Sequence, residues 1–595
     1  MERLRAWLEE DERQALAAAL LALLGLCWLA FFHQLGSLGL MDKTEALFVE
    51  VGHQMLRSGD WVTPRWNGET FFDYPVWGYW MVALSFRLFG VSSWAARLPV
   101  ALAASVSVLA LFALLWQLAP AAEPQMRRLG RATLAASVLA LSPGWVGWGR
   151  SSVTDMFLAS AISLALLGFA LADASPPGSR ARALGHGALA LFAGIAVLAK
   201  GPVGLLLPGL VILVFLALRG RLLAELRRAP LLAMAALFLG VTLPWYALAT
   251  RANGMEFLGR FLGFSNLERF TSVLYDHPGP PWFYLPWLLL LLLPWSLFLP
   301  VAVARLRPWR RSGSDLPLLA LIWLLLIVAF FSAAATKLPG YILPALPGGA
   351  LLVALLFVPL PARSAEGSNG VAAGPLEFGA GLRLSGWINA ALLALLAAAA
   401  ALAPRFAGQD PAYPGFAAAL RASGLPWLLA TPLLAAALLL ALLLLRRHSR
   451  IGGAPALAWL WLPNAAAFAA VLALVVPSLA RLLDGERQAP IRELAVLAGQ
   501  RSDVDEPLLV VGYRRYSVVH YSGLHVLFVE DPDGARKLLR GRSGRAAPPT
   551  LLLLGSDAEL ADFGLDPGDG ELIARRQAHR LLRLSRSQLR GLQER

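Results

Sequence analysis

The stretch ALGHGALALFAGIAVLAKGPVGLLLPGLVILVFLALR, residues 183–219, decides how this chain folds. It contains two apolar runs, 184–199 and 203–218, separated by Lys200-Gly201-Pro202. A bilayer crossing needs roughly 20 apolar residues, so each run is short, and the break reads either as a kink in one span or as a turn between two. Charge separates the two readings. The basic clusters are Arg127/Arg128/Arg131, Arg180/Arg182, Arg219/Arg221/Arg227/Arg228, Arg305/Arg307/Arg310/Arg311 and Arg446/Arg447/Arg450. With two spans, all of these fall on one side of the membrane; with one, the early clusters face away from the late ones. Basic loops stay cytoplasmic, so the two-span reading is preferred.

The rest of the chain fits that frame. It has 595 residues, 57% of them hydrophobic, and a mean hydropathy of +0.61. Apolar runs near 14–34, 94–118, 132–149, 154–173, 184–199, 203–218, 230–248, 283–304, 316–333, 341–358, 385–403, 426–445 and 456–478 make about thirteen spans. The first run, Ala15–Phe32, leads into a polytopic chain and lacks a small-residue cleavage site after a basic segment, so it reads as a retained span. The formal charge of +14, carried mainly by arginine, is explained by cytoplasmic anchoring without nucleic acid as a partner. The single cysteine, Cys27, excludes an intramolecular disulfide and a thiolate zinc site.

All 20 tryptophans lie at or before Trp461, which marks a change from membrane to water. Beyond it, EPLLVVGY (506–513), HVLFVE (525–530) and TLLLLGS (550–556) read as strands with helical stretches between them. The expectation is a membrane domain over 1–480, including an outer loop at 41–93. A small soluble α/β domain over 487–595 follows on the non-cytoplasmic side. The Gly/Ala/Ser-rich segment 361–382 reads as a cytoplasmic linker. The basic end of the chain reads as a solvated face, with membrane lipid headgroups as the other partner it could meet.

The two-span parity also gathers the polar motifs on the outer face. The first loop, MDKTEALFVEVGHQMLRSGDWVTPRWNGETFFDYP (41–75), is dense in acids in a chain only 15% charged. Asp42 and Glu45 are spaced to share a helix face. Asp155 follows a very short turn and opens the next span at the same level. These carboxylates could act as a general base, or Asp42 and Asp155 could hold a divalent cation. The outer cations are Arg57, Arg65, Arg97, Arg150, Lys200, Arg251, Arg260, Arg269 and Lys337. Most such residues simply reach the interface. Lys200 and Lys337 differ, since each sits in a Gly/Pro turn (AKGPVG, TKLPGY) suited to clamping a phosphate. An interfacial aromatic belt accounts for Trp61, Trp66, Phe71, Phe72, Tyr74, Trp77, Tyr79 and Trp80; sugar stacking would use the same rings.

Together, SGDWVTPRWNG (58–68), FFDYP (71–75), YW (79–80), RLFG (87–90) and AARLP (95–99) resemble the first periplasmic loop of bacterial family 39 glycosyltransferases. The likeness continues at TDMF (154–157), AKGPVGLLLPG (199–209), TLPWY (242–246), NLERF (266–270), PWFYLPWLLLLLLPWSLFLP (281–300), TKLPGYILPALP (336–347) and GYRRYSVVHYSG (512–523). The resemblance implies a polytopic α-helical membrane protein of the GT-C type. It implies transfer of a sugar from a polyprenyl-phosphate donor to a lipid, protein or polysaccharide acceptor, with inversion, at the outer face of the inner membrane. In the family an Asp-Glu pair opens the loop. Here Thr44-Glu45 occupies that position and the Asp lies earlier, at Asp42, so either Asp42 or Glu45 serves, with Asp42 preferred. Many members carry Lys before the Pro of FFDYP; here it is Tyr74. Lys200, Lys337 and Arg150 are then expected to hold the donor phosphate, and Arg65, Asp73, Tyr74 and Tyr341 to line the substrate loop. The rival reading is a transporter or flippase, which would need charges or broken helices near mid-bilayer. The span centres carry almost none.

Overall fold

The computed structural model describes residues 12–120, 122–261, 263, 272, 278–310, 314–360, 379–407, 415–446, 450–451, 454–504, 506–530, 550–565, 568–585 and 588. NLERF with Arg269, the linker up to residue 378 and the last residues of the basic tail lie outside these. The final residues of the expected linker instead begin the helix Ala380–Leu402.

The chain is an integral membrane protein. Ten of its described helices are long and apolar enough to cross a bilayer, and two bent pairs raise the number to twelve. The expected span at 132–149 falls short of a continuous crossing. It divides into the helices Gln125–Ala140 and Pro143–Gly149, because Pro143 supplies no N–H and starts a new first turn. The expected span at 283–304 also breaks, into Tyr284–Leu291 and Trp295–Leu306, bent by 108°.

At the deciding stretch the helices Arg180–Lys200 and Val203–Arg219 are separate. Gly201, at φ 86°, ends the first in a conformation that only glycine adopts freely. The chain then doubles back. A Cβ on Gly204 would lie 2.3 Å from the Ala196 carbonyl carbon, so the two helices meet backbone to backbone. Such close contact is a common way for helices to associate in lipid.

Ion pairs show which loops share an end of the bundle. Arg182 binds Glu225, Arg221 binds Asp173 at 3.2 Å and Asp315 at 3.1 Å, and Arg219 binds Asp315 at 2.8 Å. The turns near 175–182, 219–225 and 307–315 therefore lie together. Asp155, Lys200, Tyr74 and Tyr341 meet at another group of loops, described below. Both groupings match the two-span reading. Between the ends, the interior is a continuous apolar core. Within it Ser107 pairs with Ser160, 2.7 Å apart across two spans.

The C-terminal sheet has strands β1 (Leu508–Val511), β2 (Val526–Val529), β3 (Thr550–Ser556), β4 (Glu571–Arg576) and β5 (His579–Ser585). Their order is β2-β1-β3-β5-β4. β1 pairs in parallel with β2 and β3, whereas β5 is antiparallel to both β3 and β4. Strand alternation sends Leu508 and Val510 to one apolar cluster with the helix Ala489–Arg501, and Leu509 and Val511 to another. β1 is thus buried on both faces, which explains its unbroken apolar sequence.

This sheet is docked on the first loop. The loop forms the helix Thr44–Ser58 and a two-residue hairpin, Arg65–Trp66 with Glu69–Thr70. Asn67, at the hairpin turn, donates to the Val526 carbonyl (2.8 Å) and accepts from the Val526 N–H (2.9 Å). Its side chain thereby satisfies an edge-strand residue, as a neighbouring strand would. Trp66 stacks on Phe528 at 5.9 Å.

Candidate active site

Asp155 stands in the first turn of the helix Thr154–Ala174, and Lys200 is the last residue of Arg180–Lys200. Packing of these two helices brings the side chains together, with Lys200 Nζ donating to Asp155 Oδ1 at 2.6 Å. The ammonium also faces two rings. It lies 4.9 Å from the centroid of Tyr341 and 5.5 Å from that of Tyr74, both within cation–π range. Tyr74 meets Phe48 edge to face at 5.1 Å, which ties the loop helix to the cluster. Asp155, Lys200, Tyr74 and Tyr341 therefore form one constellation, with the Lys200 ammonium held beside both rings.

The other expected residues have different partners. Glu45 is buried against Arg97 and accepts from its Nε at 2.8 Å and Nη2 at 2.7 Å. It also accepts from the N–H groups of Met41 (3.0 Å) and Ser152 (2.9 Å). Burial opposes ionisation of this carboxyl, but Arg97 and these donors outweigh it and hold it below the ordinary carboxylate value. These four bonds engage both oxygens of Glu45. Asp42 accepts from the N–H (2.6 Å) and hydroxyl (3.0 Å) of Ser517 in the C-terminal region. Burial pushes its carboxyl up, partly offset by Ser517 and Arg515. Each oxygen of Asp42 thus holds the docked sheet.

The three expected phosphate cations also part company. Arg150 donates to the carbonyls of Ala30 (3.2 Å) and His33 (2.7 Å), capping the first span. It also lines a largely apolar cavity of about 380 Å³ bounded by Phe468 and Leu472 of the last span. Lys337 is buried, and its ammonium donates to the Ala334 carbonyl three residues back. Its stem packs so closely on Gly279 that a Cβ there would lie 2.8 Å from Lys337 Cδ. Its turn is fixed next to the cluster, since the Leu338 N–H donates to the Tyr284 hydroxyl at 3.2 Å. Among the substrate-loop residues, Arg65 is exposed in the hairpin. Asp73 is half-buried, and the phenol of Tyr79 is pushed up by burial, with added repulsion from Asp73 and Tyr74.

Of the two carboxylates expected to hold a divalent cation, Asp42 is bound to Ser517 and Asp155 to Lys200. Among the described residues, the cluster of three with converging ligand atoms is Glu50, His53 and His520. Sequence reasoning missed it. Glu50 and His53 are one helical turn apart, a visible signal, but His520 comes from a distant segment. The Arg97–Glu45 pair was missed too, because Arg97 resembled any cation at a span end.

Over 96% of this chain and 98% of the other, the fold matches the crystal structure of ArnT from Cupriavidus metallidurans bound to undecaprenyl phosphate, with a TM-score of 0.72 and 23% identity. The chain has the GT-C fold. Residues 73–247 match the dolichyl-phosphate-mannose-protein mannosyltransferase family, so the GT-C likeness extends to sequence. An undecaprenyl phosphate-alpha-4-amino-4-deoxy-L-arabinose arabinosyl transferase of Pseudomonas aeruginosa is 35% identical over 345 residues, 57% of this chain and 59% of that protein. One of the same name from Shewanella sediminis is 33% identical over 322 residues, 54% of this chain and 56% of that protein. The chain thus spans under two thirds of the length of these relatives. The resemblance read from the loop motifs is borne out in both sequence and fold.

Proposed function

We propose that this protein is a glycosyltransferase that takes a sugar from a polyprenyl-phosphate donor and passes it to a hydroxyl acceptor. The observation that carries this reading is the Asp155–Lys200 pair beside Tyr74 and Tyr341 in a GT-C fold. The relatives are named for undecaprenyl phosphate-linked 4-amino-4-deoxy-L-arabinose, which makes that donor the first to test.

In this reading Asp155 takes the acceptor's proton as the acceptor oxygen bonds to the anomeric carbon. The bond from that carbon to the phosphate oxygen breaks, and polyprenyl phosphate leaves with the electron pair. A single displacement of this kind inverts the anomeric centre. Lys200 offsets the charge that builds on the departing phosphate, at a depth where water screens it poorly. Tyr74 and Tyr341 fix the ammonium and offer ring faces to a sugar. Asp42 and Glu45 support the site by holding the loop and the docked sheet. A flippase reading finds no comparable support, since this charged pair lies at the ends of its helices, away from mid-bilayer.

Replacing Lys200 by Met keeps the apolar stem and deletes the charge. Donor affinity should fall by roughly the 1.5–3 kcal/mol of a charge-assisted hydrogen bond. Binding of polyprenyl phosphate to purified protein, with Lys337→Met in parallel, measures this. Equal affinity in wild type and Lys200→Met would place the phosphate elsewhere.

We further place the Asp155 end on the extracytoplasmic side of the inner membrane, because the arginine-rich turns joined by Asp173, Glu225 and Asp315 gather elsewhere in the fold. A topology reporter fused after Arg595 should be active only outside the cytoplasm. Cytoplasmic activity of the fusion would reverse the orientation.

A further inference from the structure

The loop helix Thr44–Ser58 carries different chemistry on different faces. Phe48, Val51 and Met55 pack into the aromatic cluster near Tyr74. Glu50, His53 and Gln54 point instead toward the docked C-terminal region, where the short helix Ser517–Ser522 supplies His520. Glu50 Oε2 lies 2.7 Å from His520 Nδ1 and 3.2 Å from His53 Nδ1. The three potential ligand atoms are all within 4.8 Å of one another. The other carboxylate oxygen accepts from Gln54 Nε2 at 3.1 Å, which fixes the direction in which Oε2 is presented. Side-chain exposure is only 2% for Glu50, 15% for His53 and 7% for His520.

Two imidazoles turning the same ring nitrogen toward one carboxylate oxygen form a converging N,N,O set. We propose that Glu50, His53 and His520 bind one divalent transition-metal ion of the Zn²⁺ class, which staples the loop helix to the C-terminal domain. Two imidazoles and a carboxylate suit Zn²⁺ and its first-row neighbours, whereas Mg²⁺ and Ca²⁺ select all-oxygen sets. Bonds of about 2.0–2.2 Å place tetrahedral ligand atoms about 3.3 Å apart, so the Glu50–His520 pair opens by about 0.6 Å to admit the ion. The fourth position is left to water.

The surroundings suit a staple. Asp42 pins Ser517 three residues before His520, so the histidine is positioned before the metal arrives. Phe86 stands edge-on to His53 at 5.7 Å and beside His520 at 6.4 Å, which restricts ring rotation. The ion would join segments 470 residues apart. Because the Asp155–Lys200 pair is not part of the cluster, this proposal does not depend on the assigned activity.

The test uses the full chain in detergent, purified with a histidine-free tag, stripped with EDTA and titrated with ZnCl₂ against a chromophoric chelator. Wild type should take up one equivalent and gain thermal stability. His520→Ala and Glu50→Gln should each weaken binding by roughly 100-fold or more, since even a residue that only supports a ligand costs about 10–100-fold. The thermal gain should vanish with it. Should His520→Ala not fold, His53→Gln makes the same comparison at a more exposed position. Equal uptake by wild type and variants would mean the ion sits on other histidines, and that overturns the proposal. Failure of wild type to bind Zn²⁺ overturns it equally and leaves the cluster a hydrogen-bonded clasp.

Discussion

Asp155→Asn is expected to abolish sugar transfer while leaving the protein folded. The amide keeps the shape of the carboxyl, and its oxygen can still accept from Lys200, so the 2.6 Å contact need not be lost. What disappears is the ability to take a proton. General base catalysis contributes about 10²–10⁴-fold, and the loss should be at least that large. Asp42→Asn serves as the control. It removes charge from a carboxylate whose oxygens are engaged by Ser517, so it should lower stability and lose far less activity. The opposite pattern, with Asp42→Asn dead and Asp155→Asn active, would return the base to Asp42. Equal activity in both variants would remove the carboxylate mechanism altogether.

That contrast marks where the sequence stopped being informative. Span positions followed from apolar run length, and the pairing of loops at each end followed from arginine placement. Both are properties of short segments facing a bilayer. The split at Ser142 was also signalled, by Pro143 after a full apolar run, yet run length alone concealed it. The carboxylates are different. Asp42, Glu45 and Asp155 look alike as letters near one membrane level, and their roles depend on partners far away in sequence. Arg97 takes Glu45, Ser517 takes Asp42 and Lys200 takes Asp155. Only tertiary packing assigns these partners. The same holds for Tyr74. That Lys200 stands beside its ring, while Arg150 caps the first span and Lys337 folds back on Ala334, is set by tertiary packing.

Arg97→Met should be the most destabilising single change in the outer loop region. The guanidinium is 3% exposed and its donors are fully engaged. Besides Glu45, it donates to the carbonyls of Leu35 (3.1 Å), Leu38 (2.6 Å) and Gly39 (2.9 Å), which end the first span and begin the loop. Removing it leaves Glu45 charged and buried, with only the Met41 and Ser152 N–H groups as partners. Breaking a buried pair from one side costs about 3–5 kcal/mol, whereas removing both charges is often close to neutral. Arg97→Met should therefore lower the thermal midpoint sharply or prevent isolation of folded protein. The double variant Arg97→Met/Glu45→Leu should recover much of the loss. Arg97→Lys should fall between, because an ammonium cannot form the two parallel bonds to Glu45. The pair also sets an acid limit. Glu45 is held below its ordinary value of 4.5, so its contribution is complete above that pH and is lost only as pH falls through the lower folded-state value. Thermal unfolding of the purified variants at neutral and acid pH reads all of these effects. A wild-type midpoint for Arg97→Met would mean that the loop is held by the Asp42 and Asn67 contacts alone.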